Sequence, residues 1–259
     1  MKYTDQLGRD VEINSRPKRI VSLVPSQTEL LYDLGLDKEV VGISRFCVHP
    51  WPAVKNKTKI GGTKDIERNV IDALVPDLII ANKEENRKED IDELAKSYPV
   101  WISDVNSLND ALEMIARLGL ILEVEEASET LIRQIQLEYQ KLRKLRTNFK
   151  RKTAYFIWKK PYMLAGSNTF IDSQLSLIGL KNIVGDQNRY PELSIEEVKT
   201  LNPELILLSS EPYPFKERDR EELQASFPHA EVKLVDGELF SWYGSRLKSS
   251  PEYFINLFD

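Results

Sequence analysis

A strand–loop–helix unit occurs twice in this chain, once in each half, and that duplication constrains the fold more than any other feature. In the first copy Ile20-Val21-Ser22-Leu23-Val24 runs into Pro25-Ser26-Gln27-Thr28-Glu29-Leu30-Leu31, then Gly35-Leu36 and Val40-Val41-Gly42. In the second, Ala154-Tyr155-Phe156-Ile157-Trp158 leads to Ala165-Gly166-Ser167-Asn168-Thr169-Phe170-Ile171, then Gly179-Leu180 and Ile183-Val184-Gly185. Each copy continues into a proline-led strand, Pro76-Asp77-Leu78-Ile79-Ile80 and Pro203-Glu204-Leu205-Ile206-Leu207. Short, nearly continuous apolar runs read as strands buried on both faces of a parallel sheet, with helices alternating between them. The prolines end the preceding helix and stand where no ladder bond is yet required. Trp158, at the end of its strand, reads as core. Two similar lobes imply a cleft between them, the default place for a ligand.

The length, 259 residues, suits two such lobes, each with its own core. The boundaries fall at 1–106 for an N-terminal lobe, 107–150 for a helical region and 151–259 for a C-terminal lobe. In the helical region Leu131, Ile135, Tyr139, Leu142 and Leu145 recur at steps of three and four among charged residues. They predict one helix from about Glu125 to Arg146, stiff enough to limit closure of the lobes. A net charge of −5 with mixed signs disfavours a nucleic-acid partner. The single Cys47 makes no internal disulfide, and no apolar run is long enough to cross a bilayer. Met1 to Asp10 lacks the apolar stretch of a signal peptide. As written the chain reads as cytoplasmic, or as periplasmic or lipid-anchored if an export signal has been trimmed.

Residues Arg19 to Glu29 match the pattern R-I-V-S-L-x-P-S-x-T-E, and Asn69 to Ile80 loosely match N-x-E-x-I-x-x-L-x-P-D-L-V-I. On these residues the chain resembles the class III, helical-backbone substrate-binding proteins of ABC importers. The likeness is nearest to the branch that binds vitamin B12, and it extends from Arg16 to Glu252. It implies an α/β fold of two Rossmann-like lobes with parallel sheets joined by one long backbone helix. It also implies a non-catalytic, monomeric protein that binds a metal chelate and docks an ABC permease without entering the membrane.

Large flat ligands are held by aromatic walls and a few polar groups, on loops that follow strands. Phe46, His49 and Trp51 lie on one stiff loop, where His49 aligns with an aromatic ligand contact of the branch resembled. As a neutral imidazole it is also the candidate axial ligand to the metal of the bound chelate. Gly62 and Thr63 sit on a loop whose glycines allow close backbone approach, although it is no Walker A motif. Tyr162 (or Met163) and Tyr190 match ring-contact positions of the branch, Tyr190 in place of the expected tryptophan. Trp242, Tyr243 and Arg246 surround a glycine near the C-terminus; Trp242 could stack, and Arg246 could bind a carboxamide, carboxylate or phosphate. In this family an acid on each lobe pairs with permease arginines. Glu196, seven residues before Pro203, fits that role, whereas the equivalent of the first lobe is Asn69, with Glu67 two residues away.

The leading expectation is a corrinoid such as cobalamin, with no intrinsic cofactor. Within the same class, a ferric siderophore or haem is the alternative. The obvious arginines for a catecholate are Arg45, Arg189 and Arg246, and tyrosines at 162, 190 and 243 are the candidate haem ligands. The rival class is a two-lobed Rossmann-like enzyme. It lacks support: no G-x-G-x-x-G follows a strand, and Cys47, His49 and His229 are too few for a zinc or cluster site.

Overall fold

The computed structural model describes residues 1–145 and 150–258. Its strands in chain order are β1 (Lys2–Thr4), β2 (Asp10–Glu12), β3 (Ile20–Ser22), β4 (Val40–Ile43), β5 (Thr58–Lys59), β6 (Leu78–Asn82), β7 (Val100–Ser103), β8 (Lys152–Trp158), β9 (Met163–Leu164), β10 (Lys181–Asn182), β11 (Leu205–Ser209) and β12 (Glu231–Val235). The helices are α1 (Pro25–Asp33), α2 (Arg68–Leu74), α3 (Lys88–Leu94), α4 (Leu108–Ile121), α5 (Glu125–Leu145), α6 (Phe170–Ile178), α7 (Ile195–Thr200), α8 (Glu217–Ser226), α9 (Gly237–Ser241) and α10 (Ser250–Phe258).

The apolar runs form the centres of two sheets. In one, parallel strands lie in the order β5-β4-β3-β6-β7; in the other the parallel order is β10-β8-β11-β12, with β9 antiparallel to β8. Every residue of β3, β6 and β11 is buried. Burying a leucine or isoleucine side chain stabilises by roughly 1.5–3 kcal/mol, so these strands supply much of each core.

The duplication recurs as shared local chemistry. Each proline is followed by an acid that locks its strand to the central one. The Asp77 carboxylate accepts from the N–H groups of Lys18 and Arg19, both at 2.8 Å. Glu204 accepts from Lys152 N–H at 2.7 Å in the second copy. The helices after the central strands also end alike. Gly35 and Gly179 take φ of 79° and 98°, and the next N–H groups, of Leu36 and Leu180, reach back to Leu31 and Leu175 carbonyls, both at 2.9 Å. Glycine fits this left-handed position, and the six-to-one bond closes the helix.

The chain divides into two compact units. The first comprises Met1–Val105, Asn109–Ile135 and Tyr243–Lys248; the second comprises Asn106–Leu108, Gln136–Trp242 and Ser249–Asp259. The stretch 107–150 does not form a unit of its own, because the division falls inside α5, between Ile135 and Gln136. The single long helix is found as α5, with Leu131, Ile135, Tyr139 and Leu142 buried along one stripe. Arg146, its expected end, lies outside the described residues, as does the side chain of Leu145. No helix among the described residues is long and apolar enough to cross a membrane.

Trp158 is not core. It is 38% exposed as the last residue of β8, with its ring centroid 5.8 Å from that of Tyr213.

Candidate ligand site

Parallel sheets gather the loops that follow their strands at one edge, and nearly all the expected contacts sit on such loops. In the first unit the loop after β4 is anchored from below. Cys47 is buried, its Sγ 3.1 Å from Thr28 Oγ1 and 3.2 Å from Ser44 Oγ, and burial pushes its thiol pKa up. That anchor leaves the flanking side chains outside: Phe46 is 54% and Trp51 66% exposed, and His49 is half-buried between them. Lys55 lies over the Trp51 ring at 5.5 Å.

Phe46 and Gly62 come together. A Cβ built on Gly62 would lie 3.1 Å from the Phe46 ring and 2.0 Å from Asp65 Oδ1. The N–H of Gly62 donates to Asp65 O at 3.2 Å, so the glycine pair serves this turn. The Thr63 carbonyl accepts from Asn86 Nδ2 at 3.0 Å. Asn86 Oδ1 in turn accepts from Asn82 N–H at the end of β6, which ties the two loops together.

Tyr243 and Arg246 belong to this unit. The Tyr243 hydroxyl donates to Glu85 Oε1 at 2.9 Å. Burial first, and then the Glu85 carboxylate, hold its pKa well above the usual phenol value. The Arg246 guanidinium forms a bidentate pair with Glu29, Nε to Oε2 at 3.0 Å and Nη2 to Oε1 at 2.7 Å. Both residues were expected at a ligand; here the chain's own carboxylates engage them.

In the second unit two loops are laced together. Gly166 N–H donates to Arg189 O at 2.7 Å, Arg189 N–H to Ser167 O at 2.8 Å, and Leu164 N–H to Pro191 O at 3.1 Å. A Cβ on Gly166 would lie 2.2 Å from Gln187 O, so the approach needs glycine. The lacing puts Tyr162, and Met163 at the start of β9, beside Tyr190 on the other loop, all half-buried. Tyr162 packs edge-on against core Phe156 at 5.5 Å, and the Arg189 guanidinium lies 5.7 Å from the Tyr190 ring. Trp242 is 7% exposed and donates Nε1–H to Glu211 Oε1 at 2.9 Å, while Ser241 Oγ donates to the same oxygen at 2.7 Å. Burial pushes the Glu211 carboxyl up, the Ser241 hydrogen bond opposes the shift, and Glu238 adds to it.

Glu85 and Glu211, which engage Tyr243 and Trp242, were not among the residues singled out from the sequence. Both stand within three residues of the C-terminal end of a proline-led strand, β6 and β11, in a position that the duplication makes comparable. That placement is the signal that would have found them.

Glu196 and Asn69 are both exposed and both occupy the second residue of their short helices, α7 and α2. Among the described residues no group of three or more His, Cys, Asp or Glu side chains is arranged to hold a metal ion.

Two α/β units with parallel sheets and aromatic loops at the strand ends describe a small-molecule receptor. The chain belongs to the periplasmic binding protein family, whose sequence pattern matches residues 20–231. Its relatives and structural neighbours are substrate-binding proteins of the class III type. It is 28% identical over 260 residues to an uncharacterised ABC transporter substrate-binding lipoprotein of Bacillus subtilis (strain 168), covering 96% of this chain and 82% of the other. A vitamin B12-binding protein of Vibrio campbellii is 27% identical over 200 residues, covering 76% of this chain and 72% of that one. Among solved structures, the periplasmic vitamin B12 binding protein of Vibrio cholerae superposes with a TM-score of 0.81 at 23% identity, over 93% of this chain and 96% of that one. The periplasmic catecholate-siderophore binding protein of the same species gives 0.80 at 16%, over 99% of each chain. These likenesses at low identity establish the fold. The cytoplasmic expectation finds no support among these relatives, which are a lipoprotein and periplasmic proteins.

Proposed function

We propose that this chain captures a corrinoid, cobalamin or a close relative, outside the cytoplasmic membrane and delivers it to an ABC permease. The observation that carries the reading is the exposed pair Phe46 and Trp51, held out by the buried Cys47 anchor on a loop at the end of β4. Large rings on a fixed loop give a flat ligand area to bury at small entropic cost. The similarity to vitamin B12-binding proteins supports the corrinoid among flat metal chelates. His49 on the same loop, with Thr63, Tyr162, Met163 and Tyr190, supplies the further contacts in this reading.

Two of the three candidate haem ligands are held toward the protonated phenol. A tyrosine that ligates ferric iron must lose its proton, yet the phenols of Tyr162 and Tyr243 are both pushed the other way. Burial is the first cause in each, followed by a neighbouring carboxylate, Glu222 and Glu85 respectively.

Titration with cyanocobalamin, haemin and ferrichrome, followed by calorimetry and visible absorbance, tests the reading. Cyanocobalamin is expected to bind one per chain, and Trp51→Ala to weaken it by tenfold or more. Haemin or ferrichrome binding in its place would show that the chain is a receptor for another chelate.

A further inference from the structure

We infer that Glu211 is a ligand contact of the second unit, one that accepts a hydrogen bond from an N–H or O–H group of the chelate and selects against chelates bearing carboxylate or catecholate groups. The inference rests on the binding reading above and adds to it the chemical character of the ligand's periphery. Glu211 follows β11 by two residues, at the sheet edge where the loops gather. Its carboxyl group is held in place: Ser241 Oγ and Trp242 Nε1 both donate to Oε1, at 2.7 and 2.9 Å. Oε2 accepts no hydrogen bond from the described residues, and no lysine or arginine among them pairs with the group. Gly237 keeps it seated, since a Cβ there would stand 2.7 Å from Glu211 Cγ and 2.3 Å from Ser209 Oγ. A carboxyl fixed through Oε1 leaves Oε2 to accept a hydrogen bond from a ligand donor.

The arginines of the loops point the same way. Haem propionates and catecholates call for guanidinium groups, and the three arginines singled out for that role are engaged internally. Arg45 pairs with Asp65 at 2.7 Å, Arg246 with Glu29 at 2.7 Å, and Arg189 donates to Asn106 Oδ1 at 3.3 Å and Asn168 O at 3.0 Å. Lys64 and Lys160 are exposed on the loops, where solvated ammonium groups give an anion little net attraction. A corrinoid carries primary amides around its rim, so it offers the N–H donors that Glu211 lacks.

Affinities of the whole chain for cyanocobalamin and haemin, measured for wild type, Glu211→Gln and Glu211→Ala, test this. The glutamine keeps an oxygen for Ser241 and Trp242 and turns an NH2 group toward the ligand. Wild type is expected to favour cyanocobalamin by at least tenfold, and both variants to narrow that ratio by tenfold or more. A purely structural Glu211 would shift the unfolding midpoint and leave the ratio where it was, and that result would overturn the inference. So would a wild type that binds haemin as tightly as cyanocobalamin, while leaving the receptor itself established. Binding of neither chelate would remove the corrinoid reading, and the inference with it.

Discussion

Arg246 shows how a side chain selected for its chemistry can be engaged elsewhere. An arginine near aromatics and glycine suggests ligand recognition, but its partner Glu29 lies 217 residues away in sequence, beyond the reach of any local pattern. Because the pair is bidentate and mostly buried, Arg246→Ala should cost about 1–3 kcal/mol by leaving Glu29 desolvated and alone. Urea unfolding monitored in the first unit would show this, and corrinoid affinity should change less than tenfold. Cys47 is the opposite case, legible as a lone thiol but not as an anchor. With its thiol buried and its pKa raised, it should resist iodoacetamide in the native protein and react once the chain is unfolded. Glu211 makes a pH prediction. Burial raises its folded-state pKa above the unfolded value, so the native state binds that proton more tightly. Stability contributed by this group is present below the ordinary glutamate range and is lost as pH rises through the elevated folded value. Glu211→Gln, which cannot ionise, should lose less stability than wild type, in urea midpoints, as pH rises above the ordinary glutamate range.

At the level of elements, the duplicated strands, the proline-led entries and α5 were readable because their signals are local and periodic. The hairpin of β1 and β2 was not, since its three-residue strands are largely exposed and bury little apolar surface. It is held by the Asp5 carboxylate, which accepts from the N–H groups of Leu7 and Arg9, both at 2.9 Å. Trp158 was misplaced because an apolar run gives a strand's direction but not where the sheet beside it stops. The helical pair α4 and α5 offers a sharper test. A Cβ on Gly119 would stand 2.1 Å from Ser128 Oγ and 2.6 Å from Ser128 Cβ. Gly119→Ala must therefore move one helix, at a cost of about 1–3 kcal/mol despite alanine's better helix propensity. Adding Ser128→Gly should recover part of that loss in thermal unfolding.

On the scale of the whole molecule, the sequence disclosed a duplicated binding fold more fully than its site. Strand ends could be located from apolar runs, so the loops bearing Phe46, Trp51, Tyr162 and Tyr190 could be named. Glu211 escaped because the donors that orient it, Ser241 and Trp242, come from a helix thirty residues onward. Glu196 and Asn69 share the second position of α7 and α2, so of the two positions only the one in the second unit carries a carboxylate. We propose that Glu196 alone supplies a carboxylate to the permease. On that account Glu196→Arg should abolish permease-dependent uptake while leaving corrinoid affinity in solution unchanged. The most direct test of the central claim is calorimetric titration of the intact chain with cyanocobalamin. The account predicts saturable binding of one corrinoid per chain at micromolar concentration or tighter, and no detectable binding at millimolar concentration would contradict it.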